Sequence, residues 1–139
     1  MAAKIMIVDD ELEVVRLLEV ILSRAGYRVG KAYSGKDCLA MLSRESPDVI
    51  LLDIMMPGMS GIEVMERMRS VYDVLSMPPV VLLTAKGGME AMLEGLQAGA
   101  FKFLVKPTSR EKLLETVKAA VEYRESKRHP AAGDEFDWV

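Results

Sequence analysis

The stretch at residues 49–61, VILLDIMMPGMSG, decides the fold. Its first four residues are all apolar, which predicts a short strand that is covered on both faces of a sheet. The strand ends at Asp53, and the Pro-Gly pair that follows predicts a turn, because these residues favour the backbone angles that turns require. Ser60 stands three residues before Glu63, which is the spacing of a capping box that opens a helix. The stretch therefore predicts a strand, a loop and a helix, in that order.

The same alternation extends in both directions along the chain. Four more short runs are apolar and rich in Val, Ile or Leu, and amphipathic segments with helical spacing separate them. These runs lie at residues 5–8, 29–32, 80–83 and 103–105. The second run contains Gly30 and Lys31, so we expect it near an edge of the sheet. Five strand–helix units predict a parallel sheet with right-handed crossovers and helices on both faces.

Start and stop signals mark the ends of the predicted helices. Gly26 and Gly99 each follow an apolar-periodic segment and predict a helix end. Thr108 and Glu111 have capping-box spacing and predict the start of the last helix. The periodic pattern stops after about Glu125, so residues 1–125 form the predicted domain and residues 126–139 a polar tail or linker.

Length and composition exclude several classes of protein. The chain has 139 residues, half of them apolar, which suits one domain with its own core. A net charge of −3 argues against direct binding of nucleic acid. A single cysteine, Cys38, and a single histidine, His129, exclude an internal disulfide and a multi-histidine metal site. No apolar run approaches the length of a membrane span, and we expect a cytoplasmic protein.

Polar residues follow the apolar runs at the point where each strand should end. Asp9, Asp10 and Glu11 follow the first run, and Asp53 follows the third. The carboxyl ends of parallel strands meet at one edge of a sheet, where ligands of such sheets bind. Carboxylates brought this close repel one another unless a cation lies among them, and no protein cation is obviously placed to neutralise them. Carboxylate oxygens suit Mg²⁺, so the sequence predicts a magnesium site at this edge.

Four segments of the sequence stand at predicted strand ends: Val8-Asp9-Asp10-Glu11, residues 52–61 (LDIMMPGMSG), Leu83-Thr84-Ala85-Lys86 and Lys106-Pro107. They resemble the motifs of the receiver domains of bacterial response regulators, the phosphoacceptor proteins of two-component systems. The resemblance covers about residues 4–124, with the motifs in the order and spacing of that family. Four motifs at the ends of four correctly ordered strands are a far more specific signal than a lone pair of aspartates.

The resemblance implies a role for each matching residue. Asp53 is the expected phosphoacceptor, and Asp10, supported by Asp9, is expected to bind Mg²⁺. The backbone carbonyl of Met55 is expected to be the third metal ligand, and Thr84 to be the switch hydroxyl. Lys106 is expected to pair with the phosphoryl group, and Phe103 to be the aromatic ring that turns inward on activation. Phosphoryl transfer needs in-line positioning and neutralised charge, which Mg²⁺ and the lysine would supply. We expect Lys106 at an open, hydrated edge, and a cis bond to Pro107.

The sequence departs from the common pattern of that family at a few positions. Met55 and Lys86 stand at flanking positions where many members carry an acidic or amide side chain. Phe103 lacks the hydroxyl of the tyrosine that is common there. Gly87 and Gly88 predict a loop that moves with little resistance.

We therefore expect an α/β fold of the flavodoxin-like, doubly wound type, with a five-stranded parallel sheet in the order 2-1-3-4-5 and helices on both faces. The expected function is a phosphoacceptor switch rather than an enzyme, with only self-phosphorylation and autodephosphorylation chemistry. A histidine kinase or a histidine phosphotransfer protein would donate the phosphoryl group. A downstream protein would bind the face formed by helix 4, strand 5 and helix 5, and the chain would be a monomer or a phosphorylation-linked dimer.

Three alternatives stand beside this interpretation. The chain is alternatively a receiver fragment of a longer regulator or hybrid kinase whose output domain lies elsewhere. A Mg²⁺-dependent phosphatase with an aspartyl nucleophile would resemble Asp-x-Asp after the first strand, whereas Asp53 follows the third strand. A flavin-binding domain would need a phosphate-binding loop after the first strand, where the acidic Asp9-Asp10-Glu11 would repel a phosphate unless a metal intervened.

Overall fold

The structure is a computed structural model that describes residues 2–73, 76–85 and 87–128. Five strands alternate with five helices along these residues. The strands are β1 (Lys4–Val8), β2 (Arg28–Ala32), β3 (Val49–Asp53), β4 (Val80–Ala85) and β5 (Lys102–Lys106). The helices are α1 (Leu12–Arg24), α2 (Gly35–Leu42), α3 (Gly61–Val71), α4 (Met89–Gln97) and α5 (Arg110–Arg128).

All five strands are parallel and form one sheet in the order β2-β1-β3-β4-β5, which confirms the predicted flavodoxin-like topology. The polar second strand lies at an edge, also as predicted. Residues 5–8, 49–52 and 80–83 are buried throughout, because helices cover both faces of the central strands.

Alternation along the strands divides the core into two layers. Ile5, Ile7 and Leu51 pack with apolar residues of α1 and α5 on one face of the sheet. Met6 and Leu52, which point the other way, pack with apolar residues of α2 and α3 on the opposite face. The sheet is thus held from both sides, and its carboxyl edge remains free for the functional residues.

The predicted helix signals are confirmed in most cases. Gly26 and Gly99 have φ values of 98° and 106°, which is the left-handed conformation common just after the end of a helix. Glycine adopts this conformation with less strain than any other residue. The Ser60 hydroxyl accepts a hydrogen bond from the Glu63 N–H at 3.2 Å, as the capping box requires. Helix α5 reaches Arg128, three residues beyond the predicted end of the pattern at Glu125.

The predicted cap of the last helix was wrong by one residue. The Lys112 N–H donates to the hydroxyl of Ser109 at 3.1 Å, and α5 begins at Arg110. The hydroxyl of Thr108 instead donates to the carbonyl of Ser109. Thr108 and Ser109 are adjacent, and the hydroxyl of either could cap the helix. The spacing to Glu111 favoured Thr108, whereas Ser109 is the residue that caps α5.

Within the residues that the structure describes, no helix is long and apolar enough to cross a membrane. Several expectations fall outside those residues: the side chain of Lys86, His129, and the remainder of the tail at 130–139. The division into a domain and a polar tail stays a prediction.

Candidate functional site

The carboxyl edge of the sheet brings together the residues that the sequence placed at the strand ends. Asp9 directly follows β1, Asp53 ends β3 and Lys106 ends β5. Thr84 is the next-to-last residue of β4. The Lys106–Pro107 peptide bond is cis, as expected. Asp9, Asp53 and Thr84 are almost completely buried, with at most 3% of each residue exposed.

Three carboxylates form a compact cluster at this edge. One oxygen from each of Asp9, Asp10 and Asp53 lies within 4.8 Å of the other two. Backbone N–H groups hold two of these side chains in place. The Glu11 N–H donates to Oδ1 of Asp9 at 2.9 Å, and the Met55 N–H donates to Oδ1 of Asp53 at 3.3 Å. The Asp10 side chain is exposed, so the cluster opens to solvent on that side.

The ammonium of Lys106 crosses the edge of the sheet and contacts three carboxylates. Its Nζ lies 2.8 Å from Oδ2 of Asp9, 3.3 Å from Oε1 of Glu11 and 3.4 Å from Oδ1 of Asp53. The Asp9 contact is an ion pair without hydrogen-bond geometry. The expectation that no protein cation is placed to neutralise the carboxylates was therefore wrong for these residues. The expected open, hydrated position of Lys106 was also wrong, since only 19% of its side chain is exposed.

Burial and neighbouring charge shift the proton affinities of this cluster. Burial raises the pKa of Asp53 to about 7, and the Asp9 carboxylate adds to the shift, whereas Lys106 and the Met55 N–H oppose it. Burial lowers the pKa of Lys106, but its contacts with Asp9 and Asp53 outweigh that effect, so the pKa is raised overall. A cation added to the cluster would favour the ionised form of Asp53.

The donor set of the cluster fits a hard divalent cation. Carboxylate oxygens are the ligands that Mg²⁺ takes in proteins, usually one or two of them together with waters and phosphate oxygens. The exposed Asp10 gives access from solvent, while the buried Asp9 and Asp53 supply fixed oxygens. Met55 is 71% exposed, so its side chain lies outside the core.

A glycine at the start of α3 positions the backbone of Asp53. The Gly61 N–H donates to the carbonyl of Ile54 at 2.9 Å. A Cβ at Gly61 would collide with the backbone carbonyl of Asp53, so only glycine allows this close approach. The sequence gave no signal that Gly61 contacts the backbone of the candidate acceptor.

Thr84 rests against a second glycine. Its hydroxyl donates to the carbonyl of Ala85 at 3.3 Å. The same oxygen lies 2.5 Å from the point that a Cβ at Gly88 would occupy. The resting rotamer of Thr84 therefore depends on the absence of a side chain at Gly88, a contact that the sequence did not reveal.

Phe103 lies beside the buried cluster of apolar residues, not among the carboxylates. It is half-buried and packs against the layer that contains Leu82, its partner in the register of β4 and β5. Thr84 pairs with Val105 in the same register. Because side chains alternate along strands, Thr84 and Phe103 lie on the same face of the sheet.

Comparison with known proteins agrees with this geometry. The sequence model of the response regulator receiver domain matches residues 5–118. The chemotaxis protein CheY4 of Vibrio cholerae is 35% identical, with a TM-score of 0.77 over 86% of this chain and 99% of its own. A response regulator receiver domain protein from Clostridium thermocellum is 26% identical, with a TM-score of 0.81 over 88% of this chain and 97% of its own.

A longer protein also contains a similar unit. NtrX from Brucella abortus, whose crystal structure was determined in complex with ATP, is 28% identical with a TM-score of 0.84. The match covers 92% of this chain and 29% of the NtrX chain. The chain therefore spans less than a third of that relative.

Proposed function

The chain belongs to the response regulator receiver domain family, and on that premise we propose that it is the phosphoacceptor switch of a two-component phosphorelay, with Asp53 as the acceptor. The donor is a phosphohistidine on a histidine kinase or a histidine phosphotransfer protein. The chain's own chemistry is limited to accepting the phosphoryl group and losing it to water. The same assignment favours a cytoplasmic protein.

The observation that carries this proposal is the position of Asp53. Its carboxylate is buried at the carboxyl edge of the sheet, within 4.8 Å of oxygens from Asp9 and Asp10 and 3.4 Å from the ammonium of Lys106. Phosphoryl transfer depends on positioning and on neutralising the charge of the phosphoryl oxygens. Asp53 is held in a fixed position beside the cation of Lys106, and Asp9 and Asp10 could hold a metal ion that supplies further positive charge.

In the transfer step, a carboxylate oxygen of Asp53 attacks the phosphorus atom, a new O–P bond forms, and the P–N bond to the donor imidazole breaks. The imidazole leaves with the electron pair of that bond. Asp9, Asp10, Asp53 and the carbonyl of Met55 would hold Mg²⁺, which when bound supplies positive charge to the phosphoryl oxygens. Lys106 then exchanges its contact with Asp53 for a contact with a phosphoryl oxygen, where charge-assisted bonds are strong.

Exposed apolar residues support a protein partner on the face formed by α4, β5 and α5. Met89 and Leu93 of α4 are 66% and 51% exposed, and Val105 of β5 is 42% exposed. A patch of this kind is typical of a surface that another protein covers. Thr84 and Phe103 adjoin this face from within, so a change in their positions would alter it. The free chain is a monomer or a phosphorylation-linked dimer.

A second candidate is a receiver unit within a longer regulator or hybrid kinase. The match to NtrX over 29% of that chain favours it, since a unit of this kind there occupies part of a larger protein. Both candidates assign the same chemistry to Asp53 and differ in what the altered surface contacts.

Intact-mass spectrometry after incubation with acetyl phosphate and Mg²⁺ tests the proposal. The protein should gain the mass of one phosphoryl group, and neither Asp53→Asn nor a reaction in EDTA should show the gain. Glu66→Gln, an exposed change on α3, is the matched control and should react as the parent does. A gain that persists in Asp53→Asn would contradict the assignment of the acceptor.

A further inference from the structure

A cavity of about 550 Å³ lies at the opposite edge of the sheet, where the strands begin. It is bounded by the end of α3, by the segment that joins α4 to β5, and by the last turns of α5. Pro79 directly precedes β4 and Phe101 directly precedes β5, and both line the cavity. The full length of these strands therefore separates the cavity from the carboxylate cluster.

The cavity is lined by cations. Among the described residues, its charged lining consists of Arg69, Arg124 and Lys127, with no carboxylate. In that same part of the chain, neither Arg69 nor Lys127 forms an ion pair. A concave surface lined by a single sign of charge concentrates counter-ions, here anions. This is notable in a chain whose net charge is −3.

Backbone contacts hold the two arginines at the cavity. An Nη of Arg69 donates to the carbonyl of Ala98 at 3.2 Å, and an Nη of Arg124 donates to the carbonyl of Ser76 at 2.9 Å. Only 6% of Arg124 is exposed, so its position is fixed by the surrounding structure. A guanidinium carries five N–H groups, and Arg69 thus keeps donors for an anion while one of them anchors it.

Aromatic rings form another part of the wall. The rings of Phe101 and Tyr123 have centroids 4.9 Å apart and planes inclined by 36°. The ammonium of Lys127 lies 5.4 Å from the centroid of the Tyr123 ring. Tyr123 is 42% exposed, so part of its side chain remains open to an apolar ligand group beside Phe101 and Lys127.

We propose that this cavity binds a small ligand that joins a planar aromatic ring to a phosphate group, with nucleotides as the chemical class. Its volume lies in the range of about 300–1,000 Å³ that is typical of small-molecule sites. The ligand ring packs against the exposed parts of Tyr123 and Phe101, and the phosphate faces Arg69 and Lys127. An uncharged ligand would remove water from these cations without offering them a negative charge in return. A bare anion would make no contact with the aromatic rings. The proposal is independent of the chemistry at Asp53.

Titration of the isotope-labelled protein with ADP, followed by amide chemical shifts, tests this site. EDTA is present throughout, so that the nucleotide cannot reach the carboxylate cluster through a shared metal ion. Adenosine and pyrophosphate, titrated separately, represent the ring and the anion alone. Lys127→Glu removes one cation of the cavity, and Lys118→Glu, an exposed change on the same helix outside the cavity, is its matched control.

We expect ADP to shift the amides of residues 98–101 and 123–127 and to bind about tenfold more tightly than either fragment. Lys127→Glu should weaken ADP binding about tenfold, since it replaces attraction by repulsion, while Lys118→Glu should leave it within about twofold. Tyr123→Leu should bring the affinity for ADP close to that for pyrophosphate. The proposal is overturned if millimolar ADP leaves these amides unmoved, if shifts occur only near Asp10 and Asp53, or if pyrophosphate binds as tightly as ADP.

Discussion

The ammonium of Lys106 lies 2.8 Å from Oδ2 of Asp9, whose side chain is fully buried. A carboxylate in that position depends on its cation, because an unpaired buried charge is costly. The same ammonium contacts Glu11 and Asp53, so one lysine joins β5 electrostatically to β1 and β3. Lys106 therefore contributes to the stability of the resting fold as well as to the proposed chemistry.

Lys106→Ala should lower the free energy of unfolding by about 1–3 kcal/mol in EDTA at neutral pH, since it leaves the Asp9 carboxylate without its cation. Urea denaturation measures the change. Lys118→Ala, at an exposed position of α5, is the control and should stay within about 0.5 kcal/mol of the parent. If both substitutions cost the same, the ion pair with Asp9 contributes nothing to stability.

Asp53→Asn should stabilise the metal-free protein above neutral pH. The pKa of Asp53 is about 7 in the folded chain against an ordinary value of 3.8, so this group favours folding below about pH 4 and its contribution is lost as the pH rises to about 7. The neutral amide avoids that loss. We expect a gain of about 1–3 kcal/mol at pH 8 and a much smaller one at pH 4. Urea denaturation of both proteins in EDTA at the two pH values measures it, and a gain that did not grow with pH would contradict the assignment.

Gly88→Ala should displace the hydroxyl of Thr84. The new Cβ would lie 2.5 Å from that oxygen, closer than any stable contact, so Thr84 must change its rotamer or the loop must shift. In a Thr84→Ala background this clash is absent. We expect Gly88→Ala to cost about 1 kcal/mol more in the parent than in that background, measured as a double-mutant cycle. Equal costs in both backgrounds would show that the two residues are uncoupled.

A phosphoryl mimic at Asp53, such as beryllofluoride with Mg²⁺, should shift the amide of Thr84 and the ring signals of Phe103. Thr84 can gain a bond to the mimic only by leaving Gly88, and Phe103 lies on the same face of the sheet. A contact present in one state alone is what drives such a shift. Thr84→Ala should retain binding of the mimic and lose the Phe103 response. Equal Phe103 shifts in the parent and in Thr84→Ala would contradict this route.

Much of the fold follows from local sequence. The apolar runs at 5–8, 49–52 and 80–83 could be read directly, since strands covered on both faces need apolar residues at every position. The polar strand β2, with Lys31, could be placed at an edge for the same reason. The cap of α5 could not be fixed, because Thr108 and Ser109 are chemically equivalent as caps and only the backbone decides between them.

The composition of the candidate site was predictable, and its internal contacts were not. The strand ends place Asp9, Asp53 and Lys106 at one edge in any parallel sheet of this order. The long side chain of Lys106 could point to solvent or lie against Asp9. Which of the two it does depends on the electrostatic attraction of carboxylates that only the folded chain brings together. The cavity at the opposite edge gave no local signal, because Arg69 and Lys127 are far apart in sequence and line one cavity only because the ends of α3 and α5 reach the same edge of the sheet.

Borohydride reduction of the phosphorylated protein, followed by peptide sequencing in the mass spectrometer, locates the acceptor directly. Borohydride converts an aspartyl phosphate to homoserine and leaves free carboxylates unchanged, so the modified position is read from the fragment masses. After incubation with acetyl phosphate and Mg²⁺, homoserine should appear at position 53 and at no other aspartate. Homoserine at Asp9 or Asp10, or none at position 53 in protein that has gained phosphoryl mass, would contradict the central assignment.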